Sequence, residues 1–533
     1  MSATITADRS LRLAPAEWLF LALIVFGWAV FVISLGKDMS WDFRNYHWYI
    51  PYAFLNGRLG LDIAVAHQAS YYNPLLDVPF FLLASHMPAW FALGTLGAVQ
   101  GANVVPLYLI SRSLLQIEER KIAAGVLSLV CMTGGLSVGL SGTTYYDTVM
   151  SVFILSGLAI LITQRDVLAT GSLAAGAALT ALAGLLVGTA VGLKLPEAPY
   201  ALGFAATAAL LPGDLRHRAT RLLAGGAAGT LAVAIFAGFW MVKIWHLTGN
   251  PLFPYFNDHF HSTLALSASY RDLRFVPTSW QNVLLFPLLF SIDWRIADDL
   301  PFTDIRVGVA YIFVLITLGL WLFRRRARDP VMAQDGVVAL LGFAVVSYVV
   351  WLFIFAIYRY IVLLEMIAPI LIAGAIGSWR IPQASRLMAI GGILLLCVAC
   401  TRYDTLERAP VDDPYIQMTL PPIPDPDHAM LLMTGEAPLG YIAPLLPHQI
   451  PIIRIDGWMI QPQDGSKLTA LARARVDAFK GDLYVLSNEF ELPRTDDALA
   501  AYGLATVTAE CEDIATNLGG PYRFCPLMRK PKS

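Results

Sequence analysis

EWLFLALIVFGWAVFVISLGKDMSWDFRNYHWYIPYAFLNGRLGLD, residues 17–62, runs from an apolar segment straight into a stretch crowded with acids, bases and aromatic rings. The first part, 17–35, has the length and apolarity of a membrane crossing, which needs about 20 such residues. Further apolar runs follow it, so it reads as an anchor and not as a removed signal peptide. Composition agrees. Of 533 residues, 57% are hydrophobic and 14% charged, and the mean hydropathy is +0.60; a soluble chain would carry roughly a quarter charged residues. The net charge of -2 points to neither a nucleic acid nor an acidic partner.

Apolar runs near 17–35, 88–111, 122–142, 148–164, 171–190, 197–211, 221–245, 306–323, 335–357, 361–378 and 386–400 predict eleven spans. Cytoplasmic loops collect Lys and Arg. With the N-terminus inside (Arg9, Arg12), every cytoplasmic loop in this count is basic: Arg112, Arg120 and Lys121; Arg165; Arg216, Arg218 and Arg221; Arg324, Arg325, Arg326 and Arg328; Arg380 and Arg386. The expected fold is an all-α polytopic membrane domain over 1–400, with outer loops at 36–87 and 246–305, followed by a small α/β or α+β periplasmic domain over 401–533. Pro-rich LPPIPDPDH at 420–428 marks a boundary or linker, and GDLYVLSNEF and GLATVTAECEDI read as strand-like pieces. Cys131, Cys397 and Cys400 fall in spans as packing residues. Cys511 and Cys525 fall in the outer domain, where an oxidising compartment leaves pairing an open alternative. No CxxC, HExxH or P-loop occurs, so metalloprotease and nucleotide-hydrolase readings have no support.

On a helix, Trp41, Asn45, Trp48, Tyr49, Tyr52 and Leu55 share a broad face, and Asp38, Asp42 and Asn45 lie along a neighbouring edge. This predicts an interfacial helix with rings in lipid and its polar edge in water, kinked or restarted at Pro51. Interfacial anchoring accounts for the rings. It does not account for Asp38, Asp42, Arg44 and His47, because ionisable groups at a membrane boundary are costly unless used. Other segments expected on the same side add Asp147 after SGTTYY; Asp258, His259, His261, Arg271, Asp272 and Arg274 in the second loop; and Tyr358, Arg359, Tyr360 and Glu365. Lys194 and Glu197 sit in an outer turn and read as partners for each other. Any one of these groups has an ordinary explanation as a solvated surface residue; it is their gathering on one face that points to a site.

An Asp just after the first span, an amphipathic helix in the first outer loop, a second Asp between the third and fourth spans, a long second outer loop and a periplasmic C-terminal domain together resemble the GT-C superfamily of integral membrane glycosyltransferases. The stretch from Asp38 through WDFRNYHWYIPYAFLNGR, TGNPLFPYFN at 248–257 and YRY at 358–360 carry the likeness, which covers roughly residues 15–400. The resemblance implies a polyprenyl-phosphate-linked sugar as donor, a hydroxyl of a lipid, glycan or protein as acceptor, contact with membrane lipid, no nucleic acid, and inversion at the anomeric carbon. It implies a bacterial inner-membrane location.

Such a transfer needs a carboxylate within about 3 Å of the acceptor hydroxyl to take its proton. Asp42 is the first candidate and Asp38 the second, with the choice between them open; Asp147 would orient the acceptor or share a divalent metal. No cofactor is required on this reading, and a divalent metal stays an alternative. Arg359, Arg271, Arg274 and Lys194 are the cations available to the departing phosphate. Trp41, Tyr46 and Tyr358 would stack on a sugar, and Arg44, His47, His259, His261 and Glu365 complete the candidate substrate-binding set. Gly and Ala crowd TGSLAAGAALTALAGLLVGTAVG and LLAGGAAGTLAVAIFAG, which means close helix packing or the wall of a lipid cavity. Rival readings are a polysaccharide polymerase or ligase, a receptor or assembly protein, and a flippase or carrier. A carrier would hold its charges near the midplane, not at one face.

Overall fold

The computed structural model describes residues 12–323 and 325–531; Arg9 and Arg324 of the basic pattern lie outside the described residues. Among the described residues, seven helices are long and apolar enough to cross a membrane: Pro15–Leu35, Ala89–Leu114, Leu173–Leu193, Leu215–Thr248, Gln334–Ile354, Tyr358–Gly377 and Gln383–Cys400. Asp147–Thr163, Trp280–Leu289 and Arg306–Leu322 are shorter apolar helices. Four expected spans, 122–142, 148–164, 197–211 and 306–323, fall on helices of 13 or 17 residues. At 1.5 Å per residue the 17-residue helices reach about 26 Å, near a bilayer's apolar thickness, and the 13-residue ones only about 20 Å. The run at 122–142 is broken by an extended Gly134 between helices Arg120–Met132 and Gly135–Gly139.

Helix Tyr358–Gly377 is the centre of the bundle, with 94% of its apolar window buried, whereas Pro15–Leu35 and Leu215–Thr248 present most of theirs outward. Trp18, Leu23, Phe26 and Leu223 are each more than half exposed. Side chains apolar all round a helix are stable in that position when lipid is the solvent. Helices Leu173–Leu193 and Leu215–Thr248 meet through glycines: a Cβ on Gly184 would stand 2.2 Å from the Gly225 carbonyl oxygen, and one on Gly188 2.3 Å from that of Gly229. The Gly-rich stretches are therefore a packing seam, as small residues allow between membrane helices.

The basic loops gather at one end of the bundle, where guanidinium groups satisfy helix-terminal carbonyls that have no partner within the helix. Arg221 donates to the carbonyls of Leu168, Ala208, Leu211 and Pro212. Arg386 holds Asp329 and the Gly377 carbonyl, and Arg165 reaches Ser113, Ile162 and Asp335.

The opposite end carries the strands found among the described residues: β1 (Lys37–Asp38), β2 (Phe302–Thr303), β3 (Arg402–Tyr403), β4 (Arg408–Ala409), β5 (Ala429–Met433), β6 (Ile452–Arg454), β7 (Asp482–Asn488), β8 (Leu504–Thr506), β9 (Glu512–Thr516) and β10 (Gly519–Arg529). β2 pairs with β3 and β1 with β4, so the chain leaving the last long helix is stitched back onto the helical part before any separate sheet begins. Lys37 reinforces the stitch by binding the Asp412 carboxylate and the Tyr415 carbonyl. The main sheet starts at Ala429 and runs β6-β5-β7-β10-β8, with β9 on β10. β5, β6 and β7 are parallel and β10 is antiparallel to β7, an α/β arrangement with an antiparallel edge. Cys511 and Cys525 are disulfide-bonded across this edge.

The first loop docks against the sheet and does not lie flat in lipid. Trp48, Tyr49 and Tyr52 are buried in protein, with Trp48 stacked on Tyr415 and edge-on to Phe81. The expected interfacial belt is thus an interior cluster, because the C-terminal region and the rest of the first loop supply the apolar cover that lipid was expected to give. Further along, the Ile63 N–H donates to the Ile452 carbonyl and the Arg454 N–H to the Ile63 carbonyl, adding a bridge to the β6 edge. Arg58 and Asp62, both 2% exposed, form an ion pair at 2.6 Å. Arg58 also donates to the carbonyls of His448 and Ile450, and Asp62 accepts from Tyr49 and the Ile452 N–H. A buried pair is tolerable only when its remaining donors and acceptors are met in this way.

Candidate functional site

Local backbone chemistry separates Asp38 from Asp42. Asp38 is fully buried, and its carboxylate accepts from the Ser40 N–H at 2.8 Å and from the Thr144 N–H and hydroxyl at 2.8 and 3.0 Å. Those bonds pin the first loop to the turn before helix Asp147–Thr163. After Asp42 the chain winds as a π-turn over Phe43–His47 and restarts as helix Tyr49–Leu55, with Pro51 in its first turn. Proline fits there because the first turn has no intrahelical partner for its missing N–H, and π-turns recur at functional sites.

Asp42 keeps 15% of its side chain exposed. The Tyr46 hydroxyl donates to it at 3.0 Å, and Arg359 Nη2 stands 3.8 Å away. Burial, then the charge of Asp42, raises the Tyr46 phenol pKa, so this ring stays a protonated donor. Arg359 enters from the 3₁₀ turn Tyr358–Ile361 that begins the central helix. Its guanidinium lies over the rings of Tyr145 and Tyr360, at 4.8 and 5.3 Å, and its buried Nε has no hydrogen-bond partner among the described residues. The Arg359 backbone N–H donates to Asp298 at 2.7 Å. Burial lifts the Asp298 carboxyl to about 6 against the pull of Arg359.

A second cation flanks the first. Lys194 binds Asp147 and the Tyr145 carbonyl and sits over the Tyr360 ring at 5.3 Å. The expected pairing of Lys194 with Glu197 alone is therefore corrected: Asp147, at the first position of its helix, takes the lysine directly. Buried oxygens of Asp147 and Glu197 lack hydrogen-bond partners among the described residues. Tyr46 packs edge-on to Tyr72, whose hydroxyl meets that of Tyr255 from the second loop. Behind them His47 bonds to Asp77 at 2.6 Å, and burial still raises the Asp77 pKa against that partner.

Asp42, Tyr46, Asp147, Lys194 and Arg359 thus belong to one contact network, and His47 adjoins it through Tyr46 at a ring distance of 4.0 Å. The other expected residues lie elsewhere. Tyr358 is fully buried against Phe302 and Phe290, facing the core and not a ligand. Glu365 accepts from the Leu136 and Ser137 N–H groups and the Ser137 hydroxyl, which makes it a cap for the short Gly135–Gly139 helix. Arg274 is held by Asp272 and Asp299 on the surface. Arg271 bonds Ser269 and lies over Phe256, and His259 and His261 are exposed. Arg44 reaches the Leu518 carbonyl of the sheet domain, and Trp41 stacks on Trp458 of that domain. Sequence reasoning missed Tyr72, Tyr145, Tyr255 and Asp298 as members. The tyrosine doublet 145–146 was the available signal, since a polar ring repeated between two expected spans has little reason to be there for packing alone.

Among the described residues no three His, Cys, Asp or Glu side chains converge as a metal-ligand set. A half-open groove runs along the Gly seam, lined by Val187, Val191, Phe204 and Thr230 among others. The network combines a partly open carboxylate, two cations and a wall of phenols, a set able to accept a proton and to stabilise an anion side by side. Comparison with family models, with curated proteins and with solved structures finds no match for this chain.

Proposed function

We propose that this chain is a GT-C-type integral membrane glycosyltransferase that moves a sugar from a polyprenyl-phosphate donor to a hydroxyl acceptor. On this reading it crosses a bacterial inner membrane eleven times, with its basic end in the cytoplasm and its sheet end in the periplasm. The observation that carries the proposal is Asp42 facing Arg359 at 3.8 Å within a ring of tyrosines at the sheet end, with Lys194 beside it. A lipid-linked sugar phosphate presents its head group at that level.

In the reaction the acceptor oxygen attacks the anomeric carbon while the bond from that carbon to the phosphate oxygen breaks. Asp42 takes the hydroxyl proton, the polyprenyl phosphate leaves with the bonding pair, and the centre inverts. Arg359 meets the growing phosphate charge with a donor that is otherwise unused. Drawing Arg359 toward phosphate also frees Asp42 from its ion pair, so donor binding prepares the base. Lys194, oriented by Asp147, is the second cation. Asp38 serves as a positioning residue, because all its hydrogen bonds hold backbone and Thr144.

The test is transfer from labelled polyprenyl-phosphate sugar in membranes containing the Asp42→Asn variant. A general base contributes about 10²–10⁴-fold, so transfer falls by that factor while the protein stays folded. Undiminished transfer refutes Asp42 as base. Labelled sugar crossing the membrane with no new glycosidic bond refutes the transferase and favours a carrier.

A further inference from the structure

Trp458 is 49% exposed between buried Gly457 and Met459. Its indole is held flat: it stacks on Trp41 at 4.7 Å and 18° and on His67 at 5.5 Å and 25°. Burial and the nearby charge of Arg454 push the His67 pKa well down, so the ring beneath the indole is neutral. An exposed indole packed this tightly has given up its freedom in advance, which lowers the entropy cost of binding a flat ligand.

The surroundings of the ring give it chemistry. In the sheet order, β5 lies between β6 and β7, and the chain passes from β5 to β6 on one side and then across to β7 on the other. That is a topological switch point, where the loops leaving the strands separate and open α/β sheets bind ligands. The loops after these strands supply Glu436, Asp456 with Trp458, and Glu491. Arg494 joins them, bonding Glu436 at 2.7 Å and Asp456 at 2.5 Å. Glu436 is 44% and Arg494 35% exposed. The Glu491 carboxylate accepts from the Glu436 and Ala437 N–H groups, and Arg454 is spent on the carbonyls of Gly435 and Val65. With both guanidinium groups engaged and three carboxylates present, the crevice does not suit a phosphate. An aromatic platform rimmed by carboxylate and guanidinium groups suits a neutral or amino sugar, whose C–H face lies on the indole while its hydroxyls take the rim hydrogen bonds.

We infer that the Trp458 crevice is a saccharide-binding subsite, and that it holds the acceptor glycan beside the loop carrying Asp42. Only the word acceptor rests on the proposed transferase reading; saccharide binding stands on the crevice itself. Trp41, under the indole, immediately precedes Asp42 in the chain, so a glycan on Trp458 is anchored to the same short segment as the proposed base.

The experiment titrates detergent-solubilised full chain with chitotetraose, cellotetraose, maltotetraose and mannotetraose by calorimetry. The expected result is binding of at least one of these, weakened at least tenfold by Trp458→Ala and by Glu436→Gln. All variants are checked for wild-type melting; if Trp458→Ala melts early, Trp458→Phe, which keeps the stack, must retain part of the affinity. The inference is overturned if no tetrasaccharide binds the wild type, if Trp458→Ala binds as tightly as wild type, or if brominated lipid in nanodiscs quenches emission that Trp458→Phe removes, which would place the ring in lipid. Saccharide binding with inactive transfer would sink the transferase and leave the subsite standing.

Discussion

Two glycines on neighbouring faces of the membrane helices should answer the same substitution with opposite sign. In Gly188→Ala the new methyl would lie 2.3 Å from the Gly229 carbonyl oxygen and 2.7 Å from its Cα. Both are backbone atoms and cannot swing aside. Ordinary contact begins near 3.4 Å, so the helices must part by about 1 Å, and Gly184 meets Gly225 in the same way one turn earlier. Overpacking costs about 1–3 kcal/mol, against which alanine recovers up to about 1 kcal/mol of helix propensity over glycine. The net expectation is a loss of about 1–2 kcal/mol. A Cβ on Gly226 meets nothing within 4 Å, so Gly226→Ala keeps only the gain of up to about 1 kcal/mol. Reversible unfolding in mixed micelles measures both. The reasoning fails if the two variants shift stability in the same direction, or if Gly188→Ala is as stable as wild type.

Asp298 gives a pH signature. Its folded pKa is raised from 3.8 to about 6, so the folded protein holds this proton more tightly than the unfolded chain. Its stabilising contribution is complete below about 4 and is lost as pH rises through about 6, a change of about 3 kcal/mol; melting of Asp298→Asn across that range should be flatter than wild type, and an identical slope would remove Asp298 as the cause. Arg58→Ala leaves Asp62 buried without its partner, which costs about 3–5 kcal/mol. Limited proteolysis should then cut within 401–428 as the sheet loosens from the first loop, and wild-type resistance would contradict the docking described above. Reducing the Cys511–Cys525 bond, which spans 14 residues, should lower sheet-domain stability by about 3 kcal/mol; a thermal scan with and without reductant decides, and equal midpoints would show that the closed loop adds nothing.

Much of the candidate site was legible as a direction but not as a set of contacts. Asp42, Asp147, Lys194 and Arg359 stand out in sequence because charge beside an apolar run needs a reason, and they do converge. Tyr358 and Glu365 satisfy the same test for a different reason. Tyr358 fills the core and Glu365 caps a broken helix, and neither job leaves a local pattern. His259, His261 and Arg274 carry suitable chemistry but lie on the exposed surface of the second loop, because no packed element directs them inward.

By itself the sequence determined that this is a chain of apolar helices with basic residues gathered at one end and a compositionally distinct segment after residue 400. Those properties are local: apolar length and charge are written consecutively along the chain. Only the tertiary structure buried Asp38 under hydrogen bonds while leaving Asp42 partly open, gave Lys194 to Asp147, and turned the aromatic stretch at 41–52 from a lipid belt into a surface covered by the sheet domain. Each depends on a partner far away in sequence, as when Asp38 takes its bonds from Thr144 across 106 positions, and burial by such partners decides which carboxylate is spent on structure and which is left partly open.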